Sequence, residues 1–259
     1  MPVNDLPLLL EAAQAAGKIA TGFAGQTAAR WDKPDDAGPV TEADLAVNDM
    51  LHTTLRAARP EYGWLSEETE DTTERLNRDR VFIIDPIDGT RSFIEGAKTW
   101  AHSIAVAEQG RVTAAAIYLP LLDKMYAAAE GQGATLNGVP IRVGVGSDPS
   151  AASILAARPT ADAHHWQGGQ MPPFTRAYRP SLAYRLALVA EGRFDAMLTL
   201  HKAWEWDIAA GDLILREAGA VVSDRLAKPL IFNNPEPLLD GVVAANPEIH
   251  EHITKALAT

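Results

Sequence analysis

Arg80-Val81-Phe82-Ile83-Ile84-Asp85-Pro86-Ile87-Asp88-Gly89-Thr90 decides how the rest of the chain is read. Val81 to Ile84 are a β-rich apolar run that leads straight into two acids, a proline and a glycine, which reads as a strand ending in a tight turn. Such a strand end can hold two carboxylates and an intervening backbone carbonyl towards one point, the oxygen-rich surroundings that a hard cation such as Mg²⁺ requires. Pro86 stiffens the turn, and Gly89 lets the backbone come close to a ligand. A short helix starting near Thr90 would turn its free N–H groups towards a phosphate. Asp, Pro and Gly are also ordinary surface-turn residues, so the surroundings must decide between a site and a turn.

Upstream, Tyr62 to Leu65 form another short strand, and Thr41-Glu42-Ala43-Asp44 opens a helix with the form of a capping box. Ala43, Val47, Met50, Leu51 and Leu55 are its expected buried face. Leu6 to Phe23 suit a largely buried amphipathic helix, and a Gly/Asp/Pro-rich loop spans Gly25 to Pro39. Downstream, strands are expected over Trp100–Ala107, Val112–Tyr118 and Met125–Ala129, joined by turns, as in a mainly antiparallel sheet. Past the turn-rich stretch Gly144–Ser150, strands and helices alternate: Ile154–Ala157, a helix over Ser181–Glu191, Ala196–Leu200, a helix over Asp207–Ala218, Val221–Ser223, Val242–Ala245 and a last helix after Pro247. This alternation marks an α/β layer. We expect an α+β N-terminal lobe over residues 1–145 and an α/β C-terminal lobe over residues 146–259.

Composition narrows the chemistry. The 259 residues carry 34 acids against 23 bases, a formal charge of −11, which argues against gathering nucleic acid or anionic lipid by electrostatics. A protein this acidic handles an anionic substrate most simply through bound cations. Cysteine is absent, which removes disulfides, thiolate zinc sites and a thiol nucleophile. With no basic N-terminal segment and no long apolar stretch, a soluble cytoplasmic protein without a membrane partner is expected.

Four further acids have plain explanations when taken singly. Glu67 and Glu68 follow the strand ending at Leu65, yet with Glu70 and Asp71 they also read as a solvated acidic run. Asp207, in Trp204-Glu205-Trp206-Asp207-Ile208-Ala209-Ala210-Gly211, stands where an N-cap would. Asp44 is the acidic member of its capping box. The histidines show no zinc-site spacing and are expected on the surface or in loops.

In order and spacing, Pro39-Val40-Thr41-Glu42-Ala43-Asp44, Ser66-Glu67-Glu68, Asp85-Pro86-Ile87-Asp88-Gly89-Thr90-Arg91-Ser92-Phe93 and Trp206-Asp207-Ile208-Ala209-Ala210-Gly211 resemble the inositol monophosphatase superfamily. The likeness covers nearly the whole chain. It implies an α/β fold in the form of a layered αβαβα sandwich with the active site between the lobes. It implies that Glu67, Asp85, Asp88, Asp207 and the Ile87 carbonyl ligate two or three Mg²⁺ ions, and that Thr90, Asp44 and Glu67 orient the attacking water. Gly89 and Thr90 would hold the phosphate by their backbone, beside Asp88 and Asp207. Lys33 matches a lysine common at that place, and it would neutralise phosphate or order solvent.

The activity implied is a Mg²⁺-dependent phosphomonoesterase acting on a small phosphorylated metabolite, without a phosphoenzyme, and inhibited by lithium. Relatives act on inositol monophosphates, 3′(2′),5′-bisphosphate nucleotides or histidinol phosphate. Inositol phosphatases usually carry a Glu seven residues before the Trp-Asp aspartate, where this chain has Leu200, followed by His201 and Lys202. Arg185, Lys202 and Arg179 are candidate contacts for a second phosphate, or ordinary solvated bases. The inositol-phosphatase-like reading comes first and the nucleotidase second; a non-catalytic regulatory member of the fold is the reading from another class. Many relatives are homodimers, so the resemblance allows a homodimer, while no exposed stripe in the sequence identifies an interface and the oligomeric state stays open.

Overall fold

Val81, Phe82, Ile83 and Ile84 are all buried. Alternate side chains of a strand face opposite ways, so this strand needs apolar cover on both faces. The computed structural model describes residues 4–34, 38–146 and 148–258. Helix α1 (Leu6–Ala20) is followed by a short antiparallel pair, β1 (Arg30–Asp32) and β2 (Pro39–Thr41), and by α2 (Glu42–Ala58). The pair lies where composition suggested only a loop, because its register joins residues eleven apart, Arg30 to Thr41, and local composition does not report such pairing.

Seven strands then form one sheet whose spatial order equals chain order. They are β3 (Gly63–Ser66), β4 (Arg80–Asp88), β5 (Ala101–Glu108), β6 (Arg111–Leu119), β7 (Lys124–Ala129), β8 (Ala134–Leu136) and β9 (Val139–Ile141), with the short helix α3 (Thr90–Ile94) between β4 and β5. Neighbours pair antiparallel except β3 with β4, which run parallel. Phe82 and Ile84 pack with Leu9, Val47, Leu51 and Leu55 of the first two helices.

The other face of β4 carries Val81 and Ile83, which join a cluster with Leu186 and Leu213. These belong to two helices between sheets. The second sheet comprises β10 (Ser153–Ala156), β11 (Thr175–Ala177), β12 (Ala196–Thr199), β14 (Val221–Ser223) and β16 (Val242–Ala245), in spatial order β11-β10-β12-β16-β14. A separate small pair, β13 (Ala203–Trp204) and β15 (Leu238–Leu239), lies beside it. The helices are α4 (Leu182–Ala190), α5 (Glu205–Glu217) and α6 (Pro247–Ala256). Leu155, Met197, Val242 and Ala244 share the cluster of α4 and α5, whereas Ile154, Leu198 and Val243 pack with Ile249 and Ile253 of α6. The layers therefore run helix, sheet, helix, sheet, helix, the αβαβα sandwich of the α/β class.

Because sheets cover α4 on both sides, all nine of its residues are buried, as a helix in that layer must be. Its contact with α5 is unusually close. A Cβ at Gly211 would stand 2.4 Å from Leu186 Cδ1 and 2.7 Å from Leu186 Cβ, so only glycine fits there. That approach sets the starts of α4 and α5 side by side at the end of β4.

Candidate active site

Glu67 reaches the end of β4 because β3 runs parallel beside it, and its N–H donates to the Ile84 carbonyl at 3.1 Å. Glu67 and Glu68 are half-buried rather than part of the exposed run at Glu70 and Asp71. Asp85 pairs across the sheet with Ser103, whose hydroxyl donates to the Trp206 carbonyl at 2.9 Å and so pins the first turn of α5 above the strand end. The N-cap of α5 is Trp204 and Asp207 is its third residue, so the plain N-cap reading of Asp207 fails.

One carboxylate oxygen from each of Asp85, Asp88 and Asp207 lies within 4.8 Å of the other two. Burial, with the charges of Glu67, Asp88 and Asp207 added, lifts the Asp85 carboxyl well above the usual range; burial, Asp88 and Glu67 do the same to Asp207. At about 5 Å and an effective dielectric near 20, each ionised pair repels by roughly 3 kcal/mol. Asp85 Oδ1 is moreover buried without a hydrogen-bond partner, a costly state for a polar atom. Such a cluster needs protons or a cation, and its all-oxygen donor set fits a hard divalent cation.

Asp88 has a second attachment. Its carboxylate accepts from Ser181 Oγ at 2.6 Å, from the Ala183 N–H, and from the Leu182 N–H at 3.3 Å. It therefore closes the open N–H groups at the start of α4, a placement the helix dipole favours. Burial raises its carboxyl, and the bonds from Ser181 and Ala183 oppose the rise.

Asp44 is divided likewise. Its Oδ2 accepts from the Thr41 N–H at 2.9 Å and from the Thr41 hydroxyl, completing the capping box of α2. Its Oδ1 accepts from the Thr90 hydroxyl at 3.1 Å. That hydroxyl also lies 3.2 Å from the Ile87 carbonyl, but it has one proton and serves one acceptor at a time. The cap and the pairing with Thr90 coexist in one carboxylate, whose pKa burial raises and the Thr41 bonds lower. Gly89, at φ +96°, turns the chain from Asp88 into α3 in a conformation that glycine adopts without strain.

With this geometry in place, the comparisons with known proteins are specific. The profile described as the Inositol monophosphatase family matches residues 5–259. The chain belongs to the inositol monophosphatase family. It is 33% identical over 270 aligned residues to an inositol-1-monophosphatase of Rhizobium meliloti, covering 97% of this chain and 94% of that protein. It is 30% identical to a histidinol-phosphatase of Chlorobaculum parvum, covering 98% of this chain and 96% of the relative. The solved structure of a Thermotoga maritima IMPase matches with a TM-score of 0.80 at 28% identity, over 96% of this chain and 94% of that one.

The three crowded carboxylates and the Thr90–Asp44 pair meet at one cleft, which Glu67, Asp88, Gly89 and Thr90 help to line. None of the three bases is itself in that lining. Lys33 donates to Glu67 at 2.7 Å and Glu68 at 2.6 Å. Burial alone would lower its pKa, but the two carboxylates outweigh it and the net direction is upwards. Glu68 is pushed up to about 7 by burial and by the charge of Glu67, with Lys33 opposing. Arg185 is buried in α4, where its Nε donates to the Ser181 carbonyl at 3.3 Å; it stands behind the cleft wall. Lys202 is exposed beside the cleft and is absent from its lining. Leu200 is 3% exposed and packs in the cluster of α6, so its side chain belongs to the core and not to the cleft lining.

The expectation that the histidines lie on the surface is wrong for two of them. His250 is buried against Ser223. His102, on β5, is fully buried and its Nδ1 contacts the Pro86 carbonyl; a carbonyl can only accept, so Nδ1 carries the proton and Nε2 is left as a bare, unpartnered lone pair. His102 thereby fastens the turn between the Asp85 and Asp88 carboxylates. Burial drives its pKa down to about 4. Its position in an alternating strand core was readable, but the partner sixteen residues away was not.

Proposed function

We propose that the chain is a Mg²⁺-dependent phosphomonoesterase that hydrolyses a small phosphorylated metabolite by direct transfer to water. The observation that carries this reading is the meeting, at one cleft, of three crowded carboxylates with a hydroxyl–carboxylate pair. Two or three Mg²⁺ ions held by Glu67, Asp85, Asp88, Asp207 and the Ile87 carbonyl would supply a water of lowered pKa and neutralise charge on the phosphate. Thr90, donating to Asp44, keeps its oxygen lone pairs for a water at the cleft, and so orients it. Asp44, raised in pKa and fixed by Thr41, is placed to take up the proton through Thr90. Glu67 borders the same water position, the Gly89 and Thr90 backbone faces the phosphate, and Lys33 adds positive charge at the mouth. The water oxygen bonds to phosphorus, the ester P–O bond breaks, and the departing alkoxide takes a proton from solvent.

The family membership and the names of the two relatives support phosphatase chemistry. The inositol-phosphatase-like reading stands first by family, while the buried Leu200 favours the alternatives, a bisphosphate nucleotidase or a histidinol-phosphate phosphatase. Among the described residues no helix is long and apolar enough to cross a membrane; we place the enzyme in the cytoplasm as a homodimer, with residues 1–145 and 146–259 as its two lobes. Phosphate release from inositol 1-phosphate, adenosine 3′,5′-bisphosphate and histidinol phosphate tests the reading. Turnover should require Mg²⁺, stop with EDTA, return when Mg²⁺ is restored, and fall with lithium. A trapped aspartyl-phosphate would overturn direct transfer, and silence on every ester with metal bound would favour a regulatory role.

A further inference from the structure

The cleft lined by Asp88 and Thr90 is lined also by Tyr178, His201 and Trp204, and the hydrolytic chemistry uses none of them. Trp204 is 40% exposed, and its ring stacks on Trp206 with centroids 4.6 Å apart and planes 8° apart. Trp206 is itself buried. Tyr178 is 50% exposed, and the buried Arg185 guanidinium lies 5.3 Å from its ring centroid. Arg185 is tied in turn to the Ser181 carbonyl. Both rings are thus braced by fixed groups at the cleft wall and keep much of their surface open.

A braced ring has already given up most of its side-chain freedom, so a flat partner can stack on it without a large ordering cost. A saturated polyol would gain less. Its hydroxyls need acceptors, which the faces of the two rings do not supply. Arg91 and Glu95 also line the cleft and offer polar groups to the rest of the alcohol.

We propose that Trp204 and Tyr178 form a stacking subsite, and that the alcohol released on hydrolysis carries a flat aromatic heterocycle, such as a purine or an imidazole, rather than a saturated ring. The substrate assignment deepens the phosphomonoesterase reading and rests on it. Stacking on an aromatic side chain is lost about tenfold or more on alanine substitution.

The test compares kcat/KM, with Mg²⁺, for adenosine 2′-monophosphate, histidinol phosphate, inositol 1-phosphate and glycerol 2-phosphate. At least one aromatic ester should exceed both polyol esters by about tenfold, and which one leads separates a purine from an imidazole source. Trp204→Ala and Tyr178→Ala should each lower the ratio of aromatic-ester to glycerol 2-phosphate kcat/KM by about tenfold, and Trp204→Phe and Tyr178→Phe should restore most of it. A preference for inositol 1-phosphate, or a ratio that the alanine variants leave unmoved, overturns the subsite. A second readout needs no turnover: adenosine 2′-monophosphate should quench tryptophan emission in the native chain and less in Trp204→Phe. Hydrolysis without aromatic preference sinks the subsite alone; quenching with no ester hydrolysed sinks the phosphatase reading alone; neither quenching nor hydrolysis sinks both.

Discussion

The strand-end turn at Asp85–Thr90 and the rim at Tyr178–Trp204 border one cleft and are built in opposite ways. In the turn, buried groups are held by other elements: Asp88 by the start of α4, Thr90 by Asp44 on α2, and Pro86 by His102 on β5. In the rim, Tyr178, His201, Lys202 and Trp204 are exposed, and the bracing comes from only one side. Groups that perform a displacement need their geometry held to fractions of an ångström, which takes supports from several layers. Groups that select the leaving alcohol can differ among relatives without disturbing that frame.

The largest effect that tests this contrast is expected from Asp85→Asn. It should lower kcat by roughly a thousandfold or more, since it removes an anionic donor from the core of the proposed metal set. In EDTA the same variant should melt at or above the native temperature, because a crowded carboxylate has gone. Native protein should gain stability on adding Mg²⁺, by about 2.7 kcal/mol at a hundred times Kd, and Asp85→Asn should lose most of that gain. Asp88→Ala should behave differently in EDTA and lose about 1 kcal/mol, because the Leu182 and Ala183 N–H groups at the start of α4 lose their acceptor. Equal melting of the two variants would erase the distinction between a residue used only by the metal and one used also by the fold.

Next in size, Thr90→Val should cost about a hundredfold in kcat while metal affinity, read by titration calorimetry, stays within a few-fold. If metal affinity collapses with it, Thr90 supports the ligands rather than the water.

A smaller effect concerns the fastening of the turn. Burial holds the folded pKa of His102 at about 4, against 6.5 for a free histidine, so between those values the unfolded chain binds a proton that the folded chain refuses. Its contribution is therefore complete above pH 6.5 and is lost as pH falls towards 4, by about 2 kcal/mol between pH 7.5 and 5. The buried carboxylates work in the opposite sense, since their raised folded values make acid stabilising. Urea unfolding of native protein and His102→Asn, both in EDTA, isolates the histidine: the native chain should lose about 2 kcal/mol more than the variant over that range. An unchanged difference would mean that His102 takes up its proton as readily in the fold as in the unfolded chain.

An effect of similar size lies where the two helices behind the cleft meet. Gly211→Ala should destabilise by about 1–3 kcal/mol through its clash with Leu186, with a fall in activity as Asp207 shifts away from Asp85. A melting temperature unmoved by the methyl group would show that α4 and α5 can separate without cost.

Much of this frame was legible in residue order. The β-rich run Val81–Ile84 became β4, Thr41 and Asp44 formed the capping box read from their spacing, and Val221–Ser223 and Val242–Ala245 are strands with the expected bounds. These are local matters of side-chain period, cap chemistry and turn residues, and they depend on neighbours within a few positions. The acids could be named in the same way, because each stands at a strand end or a helix start.

What those acids touch was settled by tertiary structure alone. Asp88 meets Ser181 ninety-three residues away, and Thr90 meets Asp44 forty-six residues away; no local pattern encodes such partners. The same holds for the bases and the aromatic rings. Arg185 had the composition of a solvated base and was buried by the second sheet, Leu200 was drawn into the layer of α6, and Trp204 was left open only because Trp206 lies beneath it. Residue order determined which side chains could bind a cation and where the strands and helices would form. Packing of five layers decided which of them face one cleft, because burial and charge crowding depend on distances in space that the spacing along a chain does not contain.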